Sequence, residues 1–421
     1  MSPEDLGPAL RAAFAVAVAA ADPAAAVRAA MAGHRAELAS AGRVFVAALG
    51  KAASAMAEAA IAELARPIAG GVVVTTDAAA RPVEGCRVVV GGHPLPDAGS
   101  AEGGAALLAL AEEAGEGDLL LALISGGGSA LGVAPREGLG LADKTAVTDL
   151  LLRSGADITE MNTVRRALSR LKGGGLAEAA APAKVLSLIV SDVPGDDPAT
   201  VASGPTAPSH GGPSAREVLE RYRLTDRLPP AVIAALDGGT AQPPSGHALN
   251  QIVASNARSV EAVARHLERQ GFRVVTRPGW LGGDVAGAVA EVFALLHDEA
   301  AAPGPVAVVA GGETTVQVTG DGLGGRNQEF ALRFALAEAD RPLKRPWAFL
   351  AGGTDGRDGP TDAAGGIVDG ETLRRMKAAG ADPARHLARN DAYHALAAAD
   401  SLLTTGATGT NVADVEIALM L

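Results

Sequence analysis

Five places in the 421-residue chain set glycine beside a charged or hydroxyl residue directly after a short apolar run. Open α/β sheets bind ligands just beyond the carboxyl ends of their strands, so these are the places to look for chemistry. Leu49-Gly50-Lys51-Ala52 puts a lysine where a helix opens. A cation there opposes the helix dipole by about 0.3–1 kcal/mol, which points to an anionic ligand served by Lys51; a solvated lysine is the plainer alternative. The spacing is not that of a Walker A loop. In the second place, Ser125, Gly126, Gly127, Gly128 and Ser129 form a loop whose N–H groups can turn toward a phosphate or a carboxylate, with Ser129 as N-cap of the next helix. In the third, Asp192 ends an apolar run ahead of Val193-Pro194-Gly195-Asp196-Asp197 and could hold a metal or accept a hydroxyl proton. Asp196 and Asp197 read as turn caps. The fourth joins Gly311-Gly312-Glu313 to a glycine loop ending at Gly325-Arg326, a second cation at a helix start, with Phe330 and Phe334 on one helical face. The fifth runs from Ala351 to Gly366 through Asp355, and its aspartates lack EF-hand spacing.

Gly320, Gly322 and Gly325 also satisfy G-x-G-x-x-G, the dinucleotide fingerprint, which would favour an NAD(P)H-dependent reductase. The context argues against it. The preceding run Thr315–Thr319 reads as one arm of a short hairpin, and no acidic residue closes a second strand about 20 positions later.

The elements that position these residues follow an α/β rhythm. Apolar runs at 43–49, 71–75, 118–124 and 184–190 each end near glycine and pass into Ala/Leu helices. Unalternated runs are buried on both faces, so the sheet is expected to be mainly parallel with helices on each side. A second series contains strands at 251–254, 273–276, 305–309, 315–319 and 347–350 and a helix at 257–270. Between them, Leu228 to Gly246 is rich in Pro-Pro and Gly-Gly pairs and marks the expected boundary, giving domains at 1–240 and 246–421 with the active site in the cleft between them. The length fits two cores.

Composition narrows the function. Net charge is −12 and aromatics make up 3%, which disfavours a nucleic-acid or anionic-membrane partner. Cys86 is the single cysteine, so neither an internal disulfide nor a zinc cluster is expected, and a cytoplasmic location fits. The apolar run Ala12–Ala21 follows Glu4 and Asp5 and reads as a helix, with a second beginning at Pro23.

Taken together, ALGKAA, HPLPD at 93–97, ISGGGSA, MNTVRRALSRLKGGGLA at 161–177, SDVPGDDP, ASGPT, AGGETTV, GGRNQEFAL, GGTDGRDGPTDAAGG and TGTNVAD resemble class II glycerate kinases across the whole length. The C-terminal part of that family is called MOFRL, here about 305–415, and older naming made its members hydroxypyruvate reductases. The resemblance implies a Rossmann-like N-terminal domain, a smaller α/β C-terminal domain, and phosphorylation of D-glycerate to 2-phosphoglycerate with ATP and Mg²⁺. It puts the catalytic cations at Lys51 and Arg326. Asp192, Glu313 and Asp355 compete as magnesium ligands, and the loop 125–129, with Gly325, would cradle phosphate or the glycerate carboxylate. The oligomeric state stays open, a homodimer being one option.

Overall fold

The computed structural model describes residues 2–208, 211–237 and 248–421. They form two compact units, one comprising Pro23–Ser191 and Asp196–Val253, the other Met1–Asp22, Asp192–Gly195 and Ala254–Leu421. This division is more interleaved than a single cut at 240–246. The Gly-Gly and Pro-Pro pairs at 238–244 lie outside the described residues.

The first unit is built on strands β1 (Val44–Leu49), β2 (Gly70–Thr75), β3 (Cys86–Val90), β4 (Leu119–Ile124), β5 (Lys184–Ser191) and β6 (Ala248–Ser255), in the order β3-β2-β1-β4-β5-β6. Pairings from β3 through β5 are all parallel, with Leu49 opposite Ile124. Every residue of β1 and β4 is buried, as continuous apolar runs require when helices cover both faces. The order reverses at β1, so the crevice beyond the ends of β1 and β4 is the topological switch point. Helices Leu141–Ser154, Ile158–Ala167, Ala215–Arg221 and Pro230–Asp237 form a satellite core around Val147, Leu151, Val164 and Val218.

The second unit holds β7 (Arg273–Thr276), β8 (Val306–Gly312), β9 (Trp347–Gly353), β10 (Gly365–Asp369), β11 (Leu402–Leu403) and β12 (Asp414–Met420), in the order β11-β10-β9-β12-β8-β7. Only β7 and β8 pair parallel; β12 runs antiparallel between β8 and β9. Full burial of β8, β9 and β12 shows that an unalternated run reports two covered faces rather than strand direction. One face carries helix Leu6–Ala20, whose Leu10, Phe14 and Ala17 pack with Val263, Leu350 and Ile417. This packing places the first 22 residues with the second sheet, and Thr410 Oγ1 and Ser259 Oγ donate to the Ala21 and Ala17 carbonyls. The other face is covered by helices Val285–Asp298 and Arg326–Asp340.

The expected strand at 315–319 is absent. Thr315 forms one bridge, to Asp284, and the N–H groups of Glu313 and Thr315 donate to Leu281 and Gly283. The alternation of Val316 and Val318 has no sheet to face, and Val318 is 73% exposed.

Phe334 anchors the second core. Its ring stacks on Phe349 at 4.0 Å and meets Phe293 edge-on at 5.4 Å. Phe334→Ala should cost about 3–5 kcal/mol in urea unfolding; a loss below about 1 kcal/mol would show that the cluster relaxes to fill the space.

Candidate active site

At the switch point the backbones of Gly50 and Ser125 touch. Gly50 has φ +128°, and a Cβ there would lie 2.3 Å from Ser125 Oγ and 2.5 Å from its carbonyl oxygen, so glycine is required. The contact is sealed by the Lys51 N–H donating to the Gly126 carbonyl (2.9 Å) and the Ala52 N–H to Ser125 Oγ (3.1 Å). Lys51 thereby leaves the end of β1 directly over the glycine loop. Its Cγ and the His93 ring both flank Gly127, at 3.1 and 3.2 Å from a Cβ built on that residue. Lys51 Nζ has no hydrogen-bond or ion-pair partner among the described residues. Burial and the nearby Lys51 charge push the His93 imidazole below its ordinary range.

The N–H groups of Gly126, Gly127, Gly128 and Ser129 find no protein acceptor among the described residues, and this is the pattern of an anion cradle. Ser129 does not cap the next helix. The single turn Gly128–Leu131 starts after Gly127, and Ser129 Oγ pairs with Ser203 Oγ at 2.7 Å.

Behind this loop lies a group of cations to which the sequence analysis gave no role. Lys172 is buried and donates to the Ser129 carbonyl at 2.8 Å. Lys144 Nζ donates to the carbonyls of Arg165 (3.3 Å) and Leu168 (3.0 Å). Burial, reinforced by Arg165, pushes Lys144 down to about 7, and Lys172 is pushed well below its ordinary value by burial and then by Arg165, Lys144 and Arg166.

In the second unit Arg326 opens helix Arg326–Asp340. Its Nε and Nη2 grip Asp414 at 2.5 and 3.1 Å, and Nη1 meets Glu313 at 2.9 Å, which leaves two of its five N–H donors for a ligand. Burial opposes the guanidinium charge, but Asp414, Glu313 and Asp358 outweigh it and raise its pKa. Gly325 makes room for Asp358, whose carboxylate accepts from the Asn327 and Gln328 N–H groups at 3.1 and 2.8 Å. The first turn of this helix is therefore capped from within the protein. Asp414 and Glu416 share a face of β12. Glu416 is buried with Oε2 unpartnered, and its pKa is driven well above the carboxylate range, by burial and then by Asp414.

Asp355 is half-buried, and its Oδ1 accepts from the Arg357 N–H at 3.0 Å. Asp192 directly follows β5 and is half-buried. Asp197 accepts from the Ala199 N–H and Thr200 Oγ1, the expected turn cap. No group of three or more His, Cys, Asp or Glu side chains poised for a metal exists among the described residues.

The dinucleotide reading fails on geometry. The Gly320 N–H donates to Asn390 Oδ1, the Gly322 N–H to the Arg389 carbonyl and the Leu323 N–H to Asp391 Oδ1, all at 2.9 Å. These glycines let two loops touch, with a Cβ at either falling about 2.3–2.4 Å from residues 389–391. Their N–H groups are not available to a pyrophosphate.

Residues 9–237 match the family described as a domain of unknown function, DUF4147, and residues 306–414 match the MOFRL family. A Pyrococcus horikoshii glycerate 2-kinase is 39% identical over 90% of this chain and 88% of its own length. The crystal structure of a Thermotoga maritima glycerate kinase superposes with a TM-score of 0.89 at 36% identity, covering 98% of this chain and 99% of the other. The chain belongs to the MOFRL-type glycerate kinase family. An Agrobacterium vitis relative, 42% identical over 90% of this chain and all of its own length, carries the provisional name hydroxypyruvate reductase.

For this glycerate kinase, the residues that sequence reasoning missed are His93, Lys144, Arg165 and Lys172. The HPLPD and RRALSRLK stretches that contain three of them were visible as motifs. Their convergence was not, because it depends on how the satellite helices pack. Lys144 gives a stability test. Between about pH 7 and 10.5 the unfolded chain holds a proton that the folded chain releases, so stability from this group rises with pH across that window. Lys144→Met abolishes that titration. Its stability relative to the parent should be greatest at or below about pH 7 and shrink toward about pH 10 in urea unfolding; a pH-independent difference would place the lysine at its ordinary pKa.

Proposed function

We propose that this glycerate kinase transfers the terminal phosphoryl group of ATP to the 2-hydroxyl of D-glycerate. The observation that carries the reading is the pairing at the switch point of an unpartnered lysine, Lys51, with a loop whose N–H groups are free of protein acceptors. That arrangement suits an oxyanion, and the names of the relatives supply the reaction. The reductase alternative loses its sequence support, since Gly320 and Gly322, two of the three fingerprint glycines, have spent their N–H groups on residues 389 and 390.

In the reaction the 2-hydroxyl oxygen forms a bond to the γ-phosphorus, the bond from that phosphorus to the β–γ bridging oxygen breaks, and ADP leaves. Negative charge spreads over the equatorial oxygens, so positioned cations do most of the work. Lys51 is assigned to that charge, and Arg326 contributes through its two remaining N–H donors. Asp192 accepts the hydroxyl proton or helps to hold magnesium.

Oxygen donors suited to magnesium are present in the second unit. Glu313 and Asp355 are carboxylates with solvent access, and magnesium needs only one or two of these beside water and phosphate. Bound there, it would neutralise the phosphate chain. No single helix among the described residues is long and apolar enough to cross a membrane.

Incubation with ATP, magnesium and D-glycerate should yield a product that enolase alone converts to phosphoenolpyruvate. A requirement for a mutase would make the product 3-phosphoglycerate. NADH oxidation with hydroxypyruvate at a comparable rate would restore the reductase.

Lys51→Ala should lower kcat/KM by about 10²–10⁴-fold with little change in unfolding. Arg326→Ala is a poorer probe, because it strands Asp414, which is only 1% exposed, without its counter-charge and should destabilise by about 3–5 kcal/mol. Arg326→Lys keeps the charge but loses the fork, and kcat should fall while the fold holds. Asp192→Asn should lower kcat sharply with folding retained. Wild-type turnover in all three of Lys51→Ala, Arg326→Lys and Asp192→Asn would remove these residues from the site.

A further inference from the structure

The first unit encloses a cavity of about 200 Å³ whose lining includes Ser129, Lys144, Arg165 and Lys172, with Leu95 and Leu152 among its apolar walls. Its cations are unusual in what they lack. Lys172 spends one of three N–H donors, on the Ser129 carbonyl, and Lys144 spends two, on carbonyls. Arg165 makes one hydrogen bond, from Nη1 to Asn162 Oδ1 at 3.3 Å, and neighbouring Arg166 makes one, to Thr163 Oγ1 at 3.2 Å. Among the described residues none of the four is ion-paired to a carboxylate. Asp149 also lines the cavity but pairs with Arg153, and Asp197 acts on Arg166 by charge alone.

Gathering four cationic side chains, one of them fully enclosed, is unfavourable when nothing answers their charge. A purely structural role would be served as well by apolar side chains. Cations assembled in a cavity with spare donors are instead the negative image of an oxyanion. The apolar walls offer a place for uncharged parts of the same ligand, and Leu95 and Leu152 are exposed at 77% and 59%. Ser129 lies in both the cavity wall and the glycine loop, which sets the cavity beside the loop assigned to the anion.

We propose that Lys144, Arg165 and Lys172 form an oxyanion subsite that holds either a phosphate of the nucleotide or the carboxylate of the three-carbon acid. The identity of these two ligands rests on the kinase reading; the presence of an anion subsite rests on the cavity itself. Lys172 has a second duty, since its bond to the Ser129 carbonyl ties the occupied subsite to the end of the glycine loop.

The test measures binding directly, by equilibrium dialysis of full-length enzyme against ATP with magnesium and, separately, against D-glycerate. Lys144→Met, Arg165→Gln and Lys172→Met are compared with the parent, alongside circular dichroism and thermal unfolding. The expected result is that one of the two ligands binds about 10- to 100-fold more weakly to each variant, the loss typical of a charge-assisted hydrogen bond. The ligand that weakens identifies the source of the anion. Lys172→Met should in addition unfold at no lower temperature than the parent, because it removes an unneutralised buried charge. If Lys172→Met does not fold, that expectation fails, and the other two variants decide the subsite. Affinities for both ligands within about twofold of the parent in Lys144→Met and Arg165→Gln would overturn the proposal, as would failure of the parent to bind either ligand. Absence of ADP release by the parent would instead refute the kinase reading and leave these binding results standing.

Discussion

The contact between Gly50 and Ser125 is the constraint on which the first unit's site depends. Two parallel strands, β1 and β4, end side by side, and their continuations must part to let helices begin. They part only after touching at a distance that no side chain on Gly50 could tolerate. That approach fixes where Lys51 leaves the sheet and how the glycine loop turns, so the cation and the open N–H groups are set by backbone geometry before any side chain chooses a rotamer.

The two units handle charge in opposite ways. In the first, lysines and arginines collect around one loop and cavity without carboxylates to answer them. In the second, Arg326 is outnumbered by the carboxylates of Asp414, Glu313 and Asp358. A surplus of positive charge attracts carboxylates and phosphates, and a surplus of carboxylate suits a hard divalent cation or a proton acceptor. Phosphoryl transfer from a magnesium nucleotide needs both.

Much of this was legible in the residues alone. Runs such as Leu119–Ile124, uniformly apolar and followed by glycine, could hardly be anything but buried strands, and Lys51 stood out because its position is locally unfavourable. What stayed hidden was tertiary. Asp414 and Arg326 are 88 positions apart, and nothing near either one advertises the other. Asp358, which caps the helix at Arg326, reads in sequence as one more loop aspartate. Lys144 belongs to a helix carrying ordinary surface charges, Asp143, Asp149 and Arg153, and its seclusion follows only from how that helix docks. The strand at 315–319 failed for the complementary reason: β-branched alternation signals a strand only where a partner edge is available, and residues 281–284 had already claimed that stretch.

The placement of β12 has a consequence for how the protein is made. Among the described strands it is the last of twelve to be synthesised, yet it occupies the middle of its sheet, between the eighth and ninth. Until it arrives, β8 and β9 each present an unpaired edge, and helix Leu6–Ala20, synthesised long before it, lacks much of the surface that will cover Leu10 and Phe14. The second unit is thus obliged to assemble late, from pieces far apart in the chain, while the parallel sheet of the first unit is complete well before. Nascent chains carry exposed strand edges through that interval, which makes the second unit the one with most to gain from a chaperone.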